Sequence, residues 1–153
     1  MKLRELEGYY LDLKEERTTI VCSYDQKYLH KSFFSMGIDI NELKQRAFQF
    51  ANRWSDAENE RAEAQSFWNE FFGVFGFDRK KLAEFEKSVK KFSGTTGKID
   101  LFWPGKLIVE HKSKNENLEK AFGQLKNYWF DLNQSDRPRY LIVSDFNRIY
   151  CYD

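Results

Sequence analysis

The chain is poor in the residues that build disulfide scaffolds and zinc sites. Its 153 residues include only two cysteines, Cys22 and Cys151, two histidines and two prolines. The two cysteines form neither a Cys-x-x-Cys pair nor a disulfide framework, which suits a reducing cytosol. Two histidines and two cysteines do not favour a structural zinc site. We therefore expect any metal site to be built from carboxylates.

Long apolar runs and an excess of one charge are also absent. No apolar run approaches 18 residues, so no membrane span is expected, and the N-terminal MKLRELEGYY lacks the apolar core of a signal peptide. We expect a cytoplasmic protein. Lys and Arg number 25 against 24 Asp and Glu. This balance excludes a strongly basic histone-like binder but is compatible with a local basic face.

Aromatic residues, by contrast, are abundant at 18% of the chain. Disordered chains lack such residues, so we expect a buried core. The length fits one domain, or one domain with an arm. Residues 39–153 form the predicted domain. Residues 1–38 form a predicted helical or irregular extension of unknown role, with apolar residues at helical spacing in 2–17 and a short β-branched strand at 18–22.

Two helices are predicted first. Asp39 and Glu42 have the spacing of a capping box, and apolar residues follow on one helical stripe as far as Trp54. Ser55 and Glu58 repeat the capping signal and predict a second helix. The predicted buried face of this second helix is Ala57, Ala64, Phe67, Trp68, Phe71 and Phe75. Gly73 and Gly76 are predicted to end it.

The rest of the chain alternates strands and helices. Residues 78–82 predict a helical turn, and 84–91 fit either a helix or an edge strand. Residues 98–103 and 106–112 predict a hairpin turning at Pro104-Gly105, and 115–132 predict a helix. Residues 140–144 form a nearly apolar strand, as expected in the middle of a sheet, and 148–152 a final strand. This order predicts an α/β fold with a small mixed sheet flanked by helices.

The hairpin carries three charged residues, Asp100, Glu110 and Lys112, in otherwise apolar strands. A two-residue loop would place Asp100 and Glu110 on opposite faces of the sheet, where each could point to water. A three-residue loop, with Lys106 added, places Asp100 opposite Glu110 and Lys112 on the same face. The other face is then apolar throughout, which favours the three-residue loop. That predicted apolar face comprises Ile99, Leu101, Trp103, Leu107 and Val109.

Two adjacent carboxylates repel each other unless a hard divalent cation such as Mg²⁺ or Mn²⁺ lies between them. The Lys112 amine has the charge to stabilise an anionic transition state or to orient a water. A metal in this setting polarises a phosphodiester and lowers the pKa of a bound water. The pattern therefore predicts metal-assisted phosphodiester hydrolysis.

Asp100, nine intervening residues and Glu110-His111-Lys112 resemble the motif of the PD-(D/E)XK nuclease superfamily, with Ile99 at the position of its proline. The predicted order of elements resembles its restriction-endonuclease-like αβββαβ core. Residues 39–152 as a whole resemble the N-terminal endonuclease domain of single-chain type IIG/IIL restriction–modification enzymes. Those enzymes join nuclease, spacer, adenine methyltransferase and target-recognition regions in one polypeptide.

The resemblance implies a role for each hairpin residue. Asp100, Glu110 and the backbone carbonyl of His111 would bind Mg²⁺, or Mn²⁺ in its place, and Lys112 would be the catalytic lysine. A metal-activated water would attack the phosphodiester in line. Glu60 shares a helical face with Ala64 and Phe67 and occupies the place of a further catalytic Glu. The alternative for Glu60 is a solvated residue at a helix N-terminus.

Two further groups of residues fit the same reading. Gln124 and Tyr128 resemble a Q-x3-Y element beside the active site of related nucleases; otherwise they are the flank of an amphipathic helix. Basic residues supply candidate contacts to DNA phosphates, and the alternative is that they are simply solvated. The candidates for DNA binding are Lys80, Lys81, Lys90, Lys91 and Lys114.

The sequence thus predicts a Mg²⁺-dependent endonuclease domain that acts on double-stranded DNA in restriction, a form of anti-phage defence. Methyltransferase and target-recognition domains would lie downstream. A non-cleaving nucleic-acid-binding or interaction module on the same fold is the alternative, and a nuclease of repair or of a type I restriction subunit is a third reading. The complete Asp100, Glu110 and Lys112 set favours the nuclease.

Overall fold

The computed structural model describes residues 8–12, 20–21 and 39–153, and for the first two segments it describes the backbone alone. The helices are α1 (Ile40–Trp54), α2 (Glu60–Val74), α3 (Arg79–Leu82) and α4 (Leu118–Asp131). The strands are β1 (Gly8–Asp12), β2 (Ile20–Val21), β3 (Glu84–Lys90), β4 (Thr96–Trp103), β5 (Leu107–His111), β6 (Tyr140–Ser144) and β7 (Arg148–Tyr152).

The described strands form one mixed sheet in the order β2-β1-β7-β6-β5-β4-β3. Strands β5 and β6 are parallel, and the other neighbours are antiparallel. The apolar strand β6 is central, as its sequence predicted. The sequence α2, β3, β4, β5, α4, β6 reproduces the expected αβββαβ order, so the predicted fold class is confirmed.

Helices cover both faces of the sheet, and each face has its own apolar core. Helices α1 and α2 pack on one face around the fully buried Phe67 and Trp68, together with Leu101, Val109 and Phe146 of the sheet layer. Helix α4 packs on the other face. Its core there comprises Leu118, Ala121, Leu125 and Tyr128 against Ile99, Phe102, Ile108 and Val143.

Local capping explains where the first two helices begin. The carboxylate of Asp39 accepts hydrogen bonds from the backbone N–H groups of Asn41 and Glu42, which confirms the predicted start of α1. The predicted start of the second helix was wrong. Ser55 ends α1, and α2 begins at Glu60 after the N-cap Asn59. Asn59 can cap because its side chain accepts the N–H of Ala62.

Two segments whose conformation the sequence left open or mispredicted are strands: β3 at one edge of the sheet, and β1 between β2 and β7. Residues 84–90 pair with β4 and are therefore a strand rather than a helix. Gly8–Asp12 pairs along its whole length with β7, so the helical spacing read in residues 2–17 was wrong for this segment. Pairing with the edge of β7 satisfies the backbone groups of β1. Ile20–Val21 is a strand, as predicted; Cys22 and the remainder of 1–38 lie outside the described residues.

In the part of the chain that the structure describes, no helix has the length and apolarity needed to cross a membrane.

Helix α4 lies close against β4 at Gly97. A Cβ atom added there would lie 2.6 Å from Tyr128 Cε1, 2.8 Å from its hydroxyl oxygen and 2.5 Å from Cε of Lys91. The Tyr128 ring is buried, so it has little room to move. By contrast, nothing lies within 4 Å of a Cβ added at Gly123, in the middle of α4. The absence of a side chain at Gly97 therefore sets how closely Tyr128 packs on the sheet.

Gly97→Ala should destabilise the domain by about 1–3 kcal/mol because the methyl group overpacks this contact. Gly123→Ala should stabilise it by about 0.5–1 kcal/mol because alanine is the better helix former. Urea unfolding of both variants measures the two effects. Equal stability of Gly97→Ala and the parent protein would contradict this account of the packing.

Candidate active site

The register of the β4–β5 hairpin brings the predicted site together. Trp103 pairs with Leu107, and Leu101 pairs with Val109. The N–H of Lys106 donates to the carbonyl of Trp103 at 3.0 Å. This pairing confirms the three-residue loop Pro104-Gly105-Lys106 and places position 100 opposite position 110.

The carboxylate of Asp100 replaces a main-chain partner at this point. Regular pairing between the strands stops at Leu101 and Val109. Two residues beyond Val109, the backbone N–H of His111 donates to Oδ2 of Asp100 at 2.6 Å. Charge-assisted bonds of this kind are short and strong. Asp100 therefore ties β4 to β5 where the ladder opens.

Glu110 is buried, with 2% exposure. Its Oε1 atom accepts a hydrogen bond from Nζ of Lys112 at 2.5 Å. Its other oxygen, Oε2, is buried and has no hydrogen-bond partner. A buried carboxylate oxygen without a partner is costly. The protein's own groups leave this oxygen unsatisfied; among the described residues, His111 Nε2, Ser144 Oγ and Asn147 Nδ2 are also buried without a hydrogen-bond partner.

The two carboxyl groups are electrostatically strained. Burial is the main cause that raises the pKa of Asp100, against the hydrogen bond from His111 and the charge of Lys112. Burial and then the charge of Asp100 raise the pKa of Glu110. For Lys112, burial lowers the pKa, but the hydrogen bond and charge of Glu110 outweigh it and the net shift is upward. Lys112 is therefore a cation at neutral pH.

Glu60 is half-buried at the first position of α2. Its charge is among the influences that raise the pKa values of Asp100, Glu110 and Lys112. The start of α2 thus lies within electrostatic reach of the hairpin. Among residues 39–153, no three Asp, Glu, His or Cys side chains are grouped as a metal site. The set predicted from the sequence has two carboxylates and one backbone carbonyl.

The side chain of His111 belongs to the core and not to the site. It is fully buried, and its Nδ1 atom accepts a hydrogen bond from Nε1 of Trp68 at 3.1 Å. The imidazole packs against Phe146, with ring centroids 4.3 Å apart, and against Phe67. Burial lowers its pKa to about 3, so the ring is neutral. This anchor fixes the strand segment between Glu110 and Lys112.

Strand β3 is kinked beside Asp100. Glu86, which lies opposite Asp100 in the register, has φ 54 and is missing from the ladder that pairs its neighbours Phe85 and Lys87 with β4. A non-glycine residue in the left-handed region inside a strand is strained. Such interruptions often occur beside active sites, where they redirect a side chain.

The kink changes which face the neighbouring side chains use. Phe85 and Leu101 pack with α1 and α2, whereas Val89 and Ile99 pack with α4. In a regular strand, Leu101 and Ile99 would share one face. The prediction that Ile99 belongs to the same apolar face as Leu101 and Val109 was therefore wrong, because the alternation breaks at Asp100 and Glu86.

Gln124 and Tyr128 lie together on α4, with Nε2 of Gln124 3.5 Å from the Tyr128 hydroxyl. Tyr128 is buried against Gly97, and Nζ of Lys91 lies 5.2 Å from its ring centroid. The pair therefore packs against β4 at Gly97, three residues before Asp100. Its role in chemistry stays a prediction.

Four of the five candidate DNA-binding lysines form two groups, and Lys114 lies apart from both. Lys80 and Lys81 lie on α3, and Lys90 and Lys91 lie at the far end of β3, roughly 20 Å away along the strand. Lys114 forms an ion pair with Glu58 at 3.2 Å. A phosphate at Lys114 would have to compete with Glu58.

One supporting pair, Asp145 and Arg148, is absent from the site residues predicted from the sequence. Asp145 is fully buried and accepts hydrogen bonds from the N–H groups of Asn115 and Arg148 and from the Arg148 guanidinium. It thereby fixes the loop that follows Lys112. A charged residue directly after the apolar strand β6 was the available signal.

The chain matches the model of a known protein family. A family model described as "MmeI, N-terminal domain" matches residues 45–153. Neither the curated proteins nor the solved structures returned a match. The family model represents the N-terminal domain of a type IIG restriction enzyme, and this confirms the expected restriction–modification context.

The kink at Glu86 is tested by substitutions that differ in their tolerance of a positive φ. Glu86→Gly should leave stability equal or higher, because glycine adopts this conformation without strain. Glu86→Val should cost about 1–3 kcal/mol, because a β-branched residue resists it. Urea unfolding gives the stabilities, and hydrogen exchange of the His111 amide reports whether Asp100 keeps its bond.

Glu86→Gln is the matched control for charge. The Glu86–Lys98 ion pair is exposed, so its loss should change stability by less than about 1 kcal/mol. Equal stability of the Val and Gly variants would show that position 86 does not require the left-handed conformation.

The raised carboxyl pKa of Asp100 predicts a pH-dependent effect of Asp100→Asn without metal. A carboxyl group whose pKa is higher in the folded state binds protons more readily there, so stability is lost as pH rises through that pKa. Asparagine cannot ionise and still offers an oxygen to the His111 N–H. The stability advantage of Asp100→Asn over the parent should therefore grow from pH 5 to pH 8, as measured by urea unfolding.

Asp100→Ala separates charge from hydrogen bonding. It leaves the His111 N–H without its acceptor and should cost about 1–3 kcal/mol relative to Asp100→Asn at both pH values. Strong destabilisation by Asn itself at every pH would indicate that Asp100 serves mainly as a structural acceptor.

Proposed function

The chain belongs to the MmeI N-terminal domain family, and we propose that it is the divalent-metal-dependent DNA endonuclease domain of a restriction–modification enzyme. Its substrate is the phosphodiester backbone of double-stranded DNA. The domain is assigned to residues 39–153. The observation that carries the proposal is the buried, unpartnered Oε2 atom of Glu110 beside Asp100 and Lys112.

This arrangement fits Mg²⁺ or Mn²⁺. Mg²⁺ prefers carboxylate oxygens and keeps several waters, so two carboxylates and a carbonyl suffice. Glu110 Oε2 offers one oxygen that no hydrogen-bond donor occupies, and Asp100 has one oxygen beyond the bond to His111. Asp100, Glu110 and the backbone carbonyl of His111 would hold the cation. When bound, it polarises the phosphodiester and lowers the pKa of a coordinated water.

The protein's own groups have separate roles. Lys112 is charged at neutral pH, which favours stabilisation of the negative charge that develops on the phosphate over a role as general base. Asp100 holds β4 against β5 through His111 and so fixes the spacing of the two carboxylates. Glu60 at the start of α2 would orient a water or support a second ion. Gln124 and Tyr128 support the site from α4.

The lysine groups at the two ends of β3 supply the proposed backbone contacts. Lys80, Lys81 and Lys90 are exposed, and Lys91 is half-buried beside Tyr128. Phosphate contacts give affinity without sequence information. We therefore expect no cleavage at one defined sequence by this chain alone, since nothing in it resembles a target-recognition domain. Methyltransferase and target-recognition domains are its proposed partners.

A non-cleaving DNA-binding module is the competing function. A degenerate site usually loses one member of the set, and here all three of Asp100, Glu110 and Lys112 are present. The ion pair between Glu110 and Lys112 is the observation that suits the competing reading, because it satisfies half of the carboxylate without metal. Metal binding and cutting separate the two.

The proposal predicts Mn²⁺ binding and slow, Mn²⁺-dependent nicking of supercoiled plasmid. Asp100→Asn and Glu110→Gln should abolish Mn²⁺ binding in calorimetric titrations because each removes a ligand. Lys112→Ala should retain Mn²⁺ binding but lower the nicking rate by about 100-fold or more. Metal affinity should fall as pH drops, since the carboxylates protonate.

Lys106→Ala is the matched lysine control, because Lys106 is exposed in the loop at the opposite end of the hairpin. It should bind Mn²⁺ and nick DNA like the parent. DNA binding without any Mn²⁺ binding would favour the non-cleaving module. Robust cutting at a single sequence would contradict the expectation that this chain lacks target recognition.

A further inference from the structure

Phe92 is the most exposed large hydrophobic residue in the part of the chain that the structure describes, at 88% exposure. It lies in the turn between β3 and β4, where residues 92–96 are all exposed. Exposed single apolar residues are common on proteins. The Phe92 ring, however, is more exposed than the other large apolar side chains described and lies close to candidate DNA-binding lysines. We therefore consider it as a contact for a binding partner.

The turn holds Phe92 in a fixed position. The Phe92 N–H donates to Oδ1 of Asp131, at the end of α4, at 3.1 Å. The Lys91 N–H donates to the carbonyl of Thr95 at 2.8 Å, and the Gly94 N–H donates to the carbonyl of Lys91 at 2.9 Å. The backbone that carries the ring is therefore ordered before any partner binds, which lowers the entropic cost of binding.

The surroundings of Phe92 favour DNA over a protein partner. Protein-binding sites centre an aromatic anchor within an apolar patch. Here the rest of the turn is Ser93, Gly94 and Thr95, and the preceding residues are Lys90 and Lys91. A single apolar wedge beside lysines matches how proteins insert a side chain between base steps while they contact phosphates.

The distance between the turn and the proposed site is short enough for one DNA duplex to contact both. Strand β4 (Thr96–Trp103) begins beside the turn, and Asp100 lies four residues after Thr96. Four residues of strand span about 13 Å, which corresponds to about four base pairs at 3.4 Å each. A duplex lying along β4 with a phosphate at Asp100 would therefore extend as far as the turn.

We propose that the β3–β4 turn is a DNA-groove contact in which Phe92 inserts against a base step and Lys90 and Lys91 contact the flanking phosphates. This inference rests on the proposed DNA function and extends it to a defined surface. The ring supplies apolar contact and local unstacking. The lysines supply the sequence-independent, salt-dependent part of the affinity.

The test measures binding of the full 153-residue chain to a duplex that carries 2-aminopurine, whose fluorescence rises when the base unstacks. Ca²⁺ replaces Mg²⁺ so that binding can be measured without cutting. Phe92→Ala should weaken the Kd by about tenfold and abolish the fluorescence rise. Its salt dependence should be unchanged, because no phosphate contact is lost. Phe92→Trp keeps an aromatic ring at this position, so its Kd and its 2-aminopurine fluorescence rise should both match those of the parent.

The lysine pair should behave differently from the ring. The double variant Lys90→Ala, Lys91→Ala should lower the slope of log K against log salt by about 2. Phe48 provides the matched control, because it is another exposed phenylalanine, at 59% exposure, on α1. Phe48→Ala should change neither the Kd nor the fluorescence.

Three results would overturn the inference. Parent-like Kd and fluorescence for Phe92→Ala would show that the ring makes no DNA contact. If binding of the parent protein gave no rise in 2-aminopurine fluorescence, no base step would be opened. Absence of any duplex binding by the parent would reject the proposed function together with this inference, and so is distinguishable from a failure of the ring alone.

Discussion

The structure depends on a cluster of charges buried where two strands stop pairing. Asp100 takes the place of a backbone acceptor for the His111 N–H, and Glu110 is enclosed with only Lys112 as its partner. Burying carboxylates in this way raises their pKa values and costs stability. The proposed divalent cation would relieve the repulsion between the carboxylates and would give the unpartnered oxygen of Glu110 a partner.

The surroundings of these charges are correspondingly rigid. His111 anchors β5 through Trp68 and an aromatic cage, and Asp145 with Arg148 fixes the loop that follows Lys112. In β3, the strained backbone at Glu86 interrupts the alternation of side chains opposite Asp100. The site therefore lies between firm supports on three elements, and small changes in those supports should alter the placement of the carboxylates.

The fold was largely predictable because its signals are local. The cap at Asp39, the apolar strand β6 and the turn at Pro104-Gly105 each determine structure within a few residues. The start of α2 and the strand at Gly8–Asp12 were misread. In the first case Asn59 caps the helix by accepting the Ala62 N–H, whereas the Ser55 hydroxyl donates to the carbonyl of Asn52 at the end of α1. In the second, pairing with β7 overrides an apparent helical spacing.

The sequence alone favoured the correct hairpin register, and with it the placement of Asp100 opposite Glu110, because the three-residue loop leaves the charged residues on one face and an apolar set on the other. Ile99 was the exception in that set. It could not determine the kink at Glu86, the switch of Ile99 to the α4 face or the burial of His111 against Trp68. Those features depend on contacts between residues distant in the chain, such as Trp68 and His111, 43 positions apart. Only the tertiary structure decides them, because packing against a second element can outweigh the local preference of a strand.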